Sequence, residues 1–177
     1  QGSIISDQNL NCLNDGDELG LQKRLIKAEK AGLEPFFTIS NNDGHFLMGL
    51  DTGLYKVSTY LLNNYSQPCV DSVWVNVPII NDSVTVDITL QPVISCPLLE
   101  VNIAAGQMRR CFDNNYIVQY CNIGTAPASN AQVTVTLSEE VNFINSSIPG
   151  INVGGNDWQF SVGEVQPDDC GAFTIAF

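Results

Sequence analysis

The chain has 177 residues, 44% of them hydrophobic, with 19 Asp plus Glu against 7 Lys plus Arg and a formal net charge of −12. That balance excludes a nucleic-acid binder or a protein held on an anionic membrane surface, because phosphate contacts require clustered Lys and Arg and no basic residue follows Arg110. No apolar run is long enough to insert in a membrane as a helix, and eight Phe, five Tyr and two Trp can fill a core, so the acidity does not signal disorder.

No basic-then-apolar leader opens the sequence, and Gln1 is read as a processed or excised start. Helical periodicity is nearly absent. Short runs of Val, Ile, Thr, Tyr and Phe alternate with Asn, Asp, Gly and Pro clusters, the signature of an all-β chain. Strands are expected at Gly2–Ser6, Lys23–Lys30, Pro35–Ser40, His45–Gly49, Gly53–Leu61, Val70–Val77 and Ser83–Leu90. Between them, Asn41-Asn42-Asp43-Gly44 forms a hairpin turn, since these residues tolerate positive φ. Leu19 to Gly32 is the exception, being rich in helix formers. There Arg24, Ile26 and Ala28 alternate against Leu25, Lys27 and Glu29, and the alternation favours a strand.

The two prolines of Gln91-Pro92-Val93-Ile94-Ser95-Cys96-Pro97 break the pattern and divide the chain into residues 1–92 and 93–177. A fresh series is expected at Leu98–Ala104, Tyr116–Asn122, Gln132–Leu137, Val141–Asn145, Asp157–Val162 and Ala172–Phe177. Seven strands, a joint and six strands predict two tandem β-sandwiches of immunoglobulin-like or transthyretin-like type. An α/β scheme would need helices between the strands. The second sandwich is one strand short of the usual count, so its last strand comes from elsewhere in a longer protein or from another copy.

The sharpest local signal runs from Asp7 to Glu18. Counting Asp7 as the first position, side-chain oxygens fall on Asp7, Asn9, Asn11, Asp15 and Glu18, and the Leu13 carbonyl occupies the seventh. This is the ligand spacing of a twelve-residue calcium loop with Glu18 as the bidentate closing ligand. Calcium takes hard oxygens, and alternate residues of a curled loop aim at one ion. Two features depart from the pattern: Cys12 stands where glycine is usual, and the preceding segment reads as a strand. A solvated Asn/Asp turn is the competing reading.

Asp7, Asn9, Asn11, Asp15 and Glu18, followed by Gly20-Leu21, Asn42-Asp43-Gly44-His45-Phe46 and Gly53-Leu54-Tyr55-Lys56-Val57, resemble the calcium-binding B-type domains of bacterial serine-aspartate-repeat and collagen-adhesin proteins. The resemblance covers roughly residues 1–90. It implies a transthyretin-like extracellular spacer stiffened by calcium, with Asp7, Asn9, Asn11, Leu13 (through its carbonyl), Asp15 and Glu18 as ligands. Some members carry a Lys–Asn crosslink, but no motif here picks out such a lysine. In the second half, Tyr116-Ile117-Val118-Gln119-Tyr120-Cys121-Asn122-Ile123-Gly124-Thr125 and Phe160-Ser161-Val162-Gly163-Glu164-Val165-Gln166-Pro167 look like repeat domains that follow such modules in secreted proteins of Bacteroidetes-like bacteria. That likeness implies an immunoglobulin-like surface domain without catalysis.

Six cysteines, none spaced as Cys-x-x-Cys, suggest three disulfides and an oxidising compartment. The boundary splits them two and four, which pairs Cys12 with Cys69. In the second half three pairings are open, and Cys96 with Cys111 and Cys121 with Cys170 is favoured. Trp74 and Trp158 sit in alternating strands and are expected in cores, while an exposed tryptophan would instead offer a sugar platform. Glu139-Glu140 and Asp168-Asp169 read as solvated turn charges rather than a glycosidase pair. Asp71-Ser72-Val73 and Asp82-Ser83-Val84 resemble Bacteroidetes O-glycosylation acceptors, with Ser72 and Ser83 as the sites, and Asn64, Asn81 and Asn145 head Asn-x-Ser sequons.

The expected function is a non-catalytic structural or adhesive segment of a secreted or cell-surface bacterial protein or fibre. Its cofactor would be Ca2+, and its partners other domains or copies of the same surface protein, together with host or environmental glycans. A carbohydrate-binding accessory module of a secreted enzyme is the alternative.

Overall fold

The computed structural model describes residues 1–79 and 82–177, so Asn81 lies outside the described residues. No helix occurs among them. The chain divides into two compact units, Gln1–Ser95 and Cys96–Phe177.

The first unit comprises β1 (Gly2–Ser6), β2 (Leu19–Gly20), β3 (Leu25–Glu29), β4 (Phe36–Ile39), β5 (His45–Phe46), β6 (Gly53–Thr59), β7 (Ser66–Pro68), β8 (Val73–Val77) and β9 (Val86–Pro92). One sheet runs β2-β1-β9-β7, with β5 also pairing β1, and the other runs β4-β3-β6-β8. Ile4, Phe46, Ile88 and Leu90 from the first pack against Ile26, Ala28, Tyr55, Val57 and Val75 from the second. This is a two-layer β-sandwich whose alternate side chains meet in one core. Each fully buried aliphatic or aromatic side chain contributes roughly 1.5–3 kcal/mol. The β1·β9 pairing is parallel, from Gly2↔Val86 to Ser6↔Leu90.

The helix-prone stretch Leu19–Gly32 forms β2 and β3. Ile26 and Ala28 are fully buried while Leu25, Lys27 and Glu29 are half-buried, so core packing on one face overrides local propensity. In the hairpin turn Gly44 has a φ of 79°, and a Cβ there would sit 2.6 Å from the Ile4 carbonyl oxygen. The Asn41 side-chain oxygen closes the turn by accepting from the Asp43 and His45 amides.

The second unit comprises β10 (Leu99–Ala105), β11 (Asn115–Asn122), β12 (Ala128–Thr136), β13 (Asn145–Ser146), β14 (Gly150–Gly154), β15 (Asp157–Val165) and β16 (Cys170–Ala176). Its sheets are β10-β11-β16-β13 and β12-β15-β14. Val118, Phe173 and Ile175 from one meet Val133, Val135 and Phe160 from the other. Short links join β11 to β12 and β13 to β14, each passing from one sheet to the other. Every residue of β10 is exposed.

Several expectations are corrected. The second unit has seven strands, not six: β14 reads as a turn in sequence because glycines bracket it. Gly150 is required there, since a Cβ would meet the Phe160 ring at 2.5 Å. Val141–Asn145 contributes to a strand only at its last residue; Phe143 instead stacks on Trp158 at 3.7 Å. Trp158 joins the core, but Trp74 is 63% exposed on the outward side of β8. Asp168 is buried with a φ of 62° rather than solvated.

Disulfides join Cys12 to Cys69 and Cys121 to Cys170. Cys96 and Cys111 are free, which corrects their expected pairing. They lie beyond opposite ends of β10, a seven-residue strand about 23 Å long at the usual rise. A disulfide requires Cα atoms within about 7 Å.

Candidate metal centre

The acidic loop leaves the end of β1. Asp7 is fully buried there, its amide donating to the Leu90 carbonyl at 2.9 Å. Asp7 Oδ1 accepts from the Asn11 amide at 3.1 Å, and Oδ2 accepts from the Cys12 amide at 2.7 Å and Gln91 Nε2 at 2.8 Å. The chain curls tightly around this carboxylate, with φ values of 63° at Leu10 and 62° at Cys12. Cys12 therefore takes up the left-handed conformation that a glycine usually supplies at that position of a calcium loop. The bond to Cys69 and the hydrogen bond to Asp7 hold it there.

Beyond Cys12 the polar side chains converge. Asn9 Nδ2 and Asn11 Nδ2 donate to the same oxygen, Asp15 Oδ2, at 2.5 and 2.7 Å. The Asn9 and Asn11 side-chain oxygens accept from the Asn11 and Leu13 amides. Glu18 reaches back over the loop: its Oε1 accepts from the Gln8 amide at 3.2 Å, while its Oε2 is buried without a hydrogen-bond partner. The structure thus draws Asn9, Asn11 and Asp15 together and turns Glu18 inward from half-buried backbone, while the Leu13 side chain stays in solvent. An unpartnered carboxylate oxygen in a loop carrying Asp7, Asp15, Asp17 and Glu18 fits a hard cation, which such an oxygen would ligate. Turning the two carboxamides would replace donors with oxygens at the point where they now meet Asp15.

Asp7, Cys12 and Cys69 also bring three potential ligand atoms together. The two sulfurs are bonded to each other, which removes them as thiolate ligands.

Burial pushes the Asp7 carboxyl up, but Gln91 and the amides of Cys12, Asn11 and Leu10 outweigh it and hold the group below its ordinary value of 3.8. A carboxyl lowered in the folded state stabilises above its unfolded pKa and loses that contribution as pH falls through the folded value. The melting temperature of the first unit is therefore expected to fall as the pH drops below about 4, and less so in Asp7→Asn. Calorimetry across that range checks it, and equal acid sensitivity in the two proteins would refute the assignment.

Elsewhere, sequence reasoning passed over Ser3, whose Oγ lies 2.8 Å from His45 Nδ1. Asp87 stands beside them, but its Oδ1 accepts from the Ser3 amide and its Oδ2 from Asn14 Nδ2. The carboxylate is thus committed away from the imidazole that it would have to orient in a nucleophilic triad. Only the fold could reveal this cluster, because β1, β5 and β9 bring distant residues together. Of the two glycosylation candidates, Ser83 is exposed and Ser72 half-buried.

No protein-family model matches the chain. No curated protein matches it either. Among solved structures, it is similar to a DUF3823 family protein from Bacteroides ovatus, with 13% identity, 97% of this chain and 79% of that one covered, and a TM-score of 0.38. A likeness at that level assigns neither fold nor function.

Proposed function

We propose that the chain is a non-catalytic structural or adhesive segment of a bacterial surface protein or fibre, secreted or held at the cell surface. In this reading a calcium ion bound by Asp7, Asn9, Asn11, the Leu13 carbonyl, Asp15 and Glu18 rigidifies one end of the first unit. The observation that carries it is the buried, unpartnered Glu18 Oε2, facing inward in a loop whose other oxygens have the spacing of a calcium site. Two disulfides support an oxidising, extracytoplasmic setting. No helix among the described residues is long and apolar enough to cross a membrane.

Calorimetry of the chain with and without calcium tests the proposal. At a hundredfold excess over its dissociation constant, calcium stabilises by about 2.7 kcal/mol. That raises the melting transition of a unit this size by on the order of 15 °C. Chelator reverses the shift, Glu18→Gln abolishes it, and the second unit does not respond. An unchanged first transition would overturn the calcium assignment.

The exposure of Trp74 favours a second reading, a carbohydrate-binding accessory module. Its ring stands on the outer face of β8 beside Lys56, its register partner on β6, where it could stack on a sugar. Affinity electrophoresis in a panel of soluble polysaccharides distinguishes the readings: retardation lost in Trp74→Ala supports glycan binding, and no retardation with any polysaccharide counts against it.

A further inference from the structure

The Cys12–Cys69 bridge is built against a buried carboxylate. One Asp7 oxygen, Cys12 Sγ and Cys69 Sγ lie within 4.8 Å of one another, and Asp7 is fully buried. Cys69 Sγ is 3.5 Å from Asp7 Oδ2. Gln91 Nε2 is 2.8 Å from the same oxygen and 3.2 Å from Cys12 Sγ, so one amide donor serves both the carboxylate and a sulfur. Backbone hydrogen bonds fix the grouping. The Asp7 and Cys69 amides donate to Leu90 and Thr89, neighbours on β9, and the Cys12 amide donates to Asp7 Oδ2. The fold therefore brings the two cysteines together on contacts of its own, whether or not their sulfurs are joined.

Every disulfide begins as two thiols, and a chain bound for an oxidising setting carries them until an oxidant takes their electrons. In that reduced chain the same place offers two thiolates and one carboxylate. These are three of the four ligands of a tetrahedral zinc site, with one position left open. Zn–S bonds set two sulfurs about 3.8 Å apart in such a site, a spacing that Cα atoms 5.7 Å apart can supply. Gln91 adds the hydrogen bond that orients metal ligands and tunes their charge. Calcium takes hard oxygens and leaves thiolates aside, so the sulfur side of Asp7 selects a different ion from the Asn9, Asn11, Asp15 and Glu18 oxygens.

We propose that the reduced chain binds one zinc ion through Asp7, Cys12 and Cys69, and that oxidation of the cysteine pair releases it. Binding sends the two thiol protons to solvent. Oxidation by a small-molecule disulfide then takes two electrons from the two thiolates, forms the Cys12–Cys69 bond and frees the ion. The same two electrons, with two protons, reduce the carrier to two thiols. Ion and disulfide thus close the same loop by turns. The other bonded pair, Cys121 and Cys170, has no carboxylate or imidazole placed to complete such a group among the described residues. The proposal is independent of the calcium reading, because it concerns the reduced chain and calcium is titrated into the oxidised one.

The test uses the full chain, reduced with a phosphine, freed of metal, given one equivalent of zinc and probed with iodoacetamide. Peptide mapping should find Cys12 and Cys69 alkylated at least about tenfold more slowly with zinc than without. Cys96, Cys111, Cys121 and Cys170 should keep their rates, and calcium should protect none of the six. Because this reads the unaltered sequence, it does not depend on any variant folding. Cobalt in place of zinc should give one equivalent of a thiolate-to-metal charge-transfer band, lost in Cys12→Ser and kept in Cys96→Ser and Cys121→Ser. Oxidised glutathione should discharge the zinc into a chromogenic chelator as the Cys12–Cys69 bond forms. Zinc protection absent at Cys12 and Cys69, spread equally over all six cysteines, or matched by calcium would each overturn the proposal, as would a cobalt band that survives Cys12→Ser.

Discussion

Replacing Cys12 and Cys69 together by serine is expected to lower the stability of the first unit by about 4 kcal/mol, the chain-entropy value for closing a loop of this length. The two residues are 57 positions apart, so their bond removes a large part of the unfolded chain's freedom. On a unit of this size that is a fall of on the order of 20 °C in its melting transition, with the second unit unaffected. The bond also acts locally. Cys12 sits at a φ of 62°, and its amide and sulfur both contact the Asp7–Gln91 pair, the sulfur lying 3.2 Å from Gln91 Nε2. Losing the bridge releases that turn, so the double variant should also bind calcium more weakly. Calorimetry and a calcium titration read the two effects separately. A first transition that stays in place would show that the bridge constrains nothing.

The second large effect is expected at Phe160. It is fully buried, 4.7 Å from the Phe173 ring across the layers, and packs against Gly150 on the neighbouring strand. Phe160→Ala removes the ring from a site that β14 cannot easily collapse into, and should cost about 3–5 kcal/mol. Adding bulk at the same place is also harmful: Gly150→Ala presses a methyl on the ring and should cost about 1–3 kcal/mol. Chemical denaturation monitored at Trp158 follows both, because Trp158 lies in the same core. If Phe160→Ala unfolded at the wild-type denaturant concentration, the core described for the second unit would be wrong.

Much of the all-β architecture was legible because alternation is a two-residue signal that needs no distant partner. Gly53–Thr59 and Leu25–Glu29 could be read this way, the latter against its helix propensity. What escaped depended on the third dimension. β2, β7 and β13 are two or three residues long and exist only because a neighbouring strand offers hydrogen bonds. β14 hides behind its glycines, of which Gly150 clears the Phe160 ring. Alternation around Trp74 gave no indication of which face of β8 would be covered, and the tryptophan proved to be on the uncovered one. The loop from Asp7 to Glu18 was visible as a spacing of oxygens, whereas the Asp7–Gln91 contact that anchors it spans 84 residues. Cysteine counting found both bonds that form but paired Cys96 with Cys111, because counting ignores the length of the strand between them.

The parallel pairing of β1 with β9 has a mechanical consequence. The chain enters β1 at Gly2, beside Val86, and leaves β9 past Leu90, beside Ser6. Tension applied between Gln1 and Pro92 therefore pulls the two strands in opposite directions along their own length. In that shear geometry the ladder from Gly2↔Val86 to Ser6↔Leu90 bears the load together, where a hairpin pulled from its open end would unzip one pair at a time. The bond from the Asp7 amide to the Leu90 carbonyl lengthens the same clamp at 2.9 Å, so the acidic loop sits at the end of the element that would have to slide first.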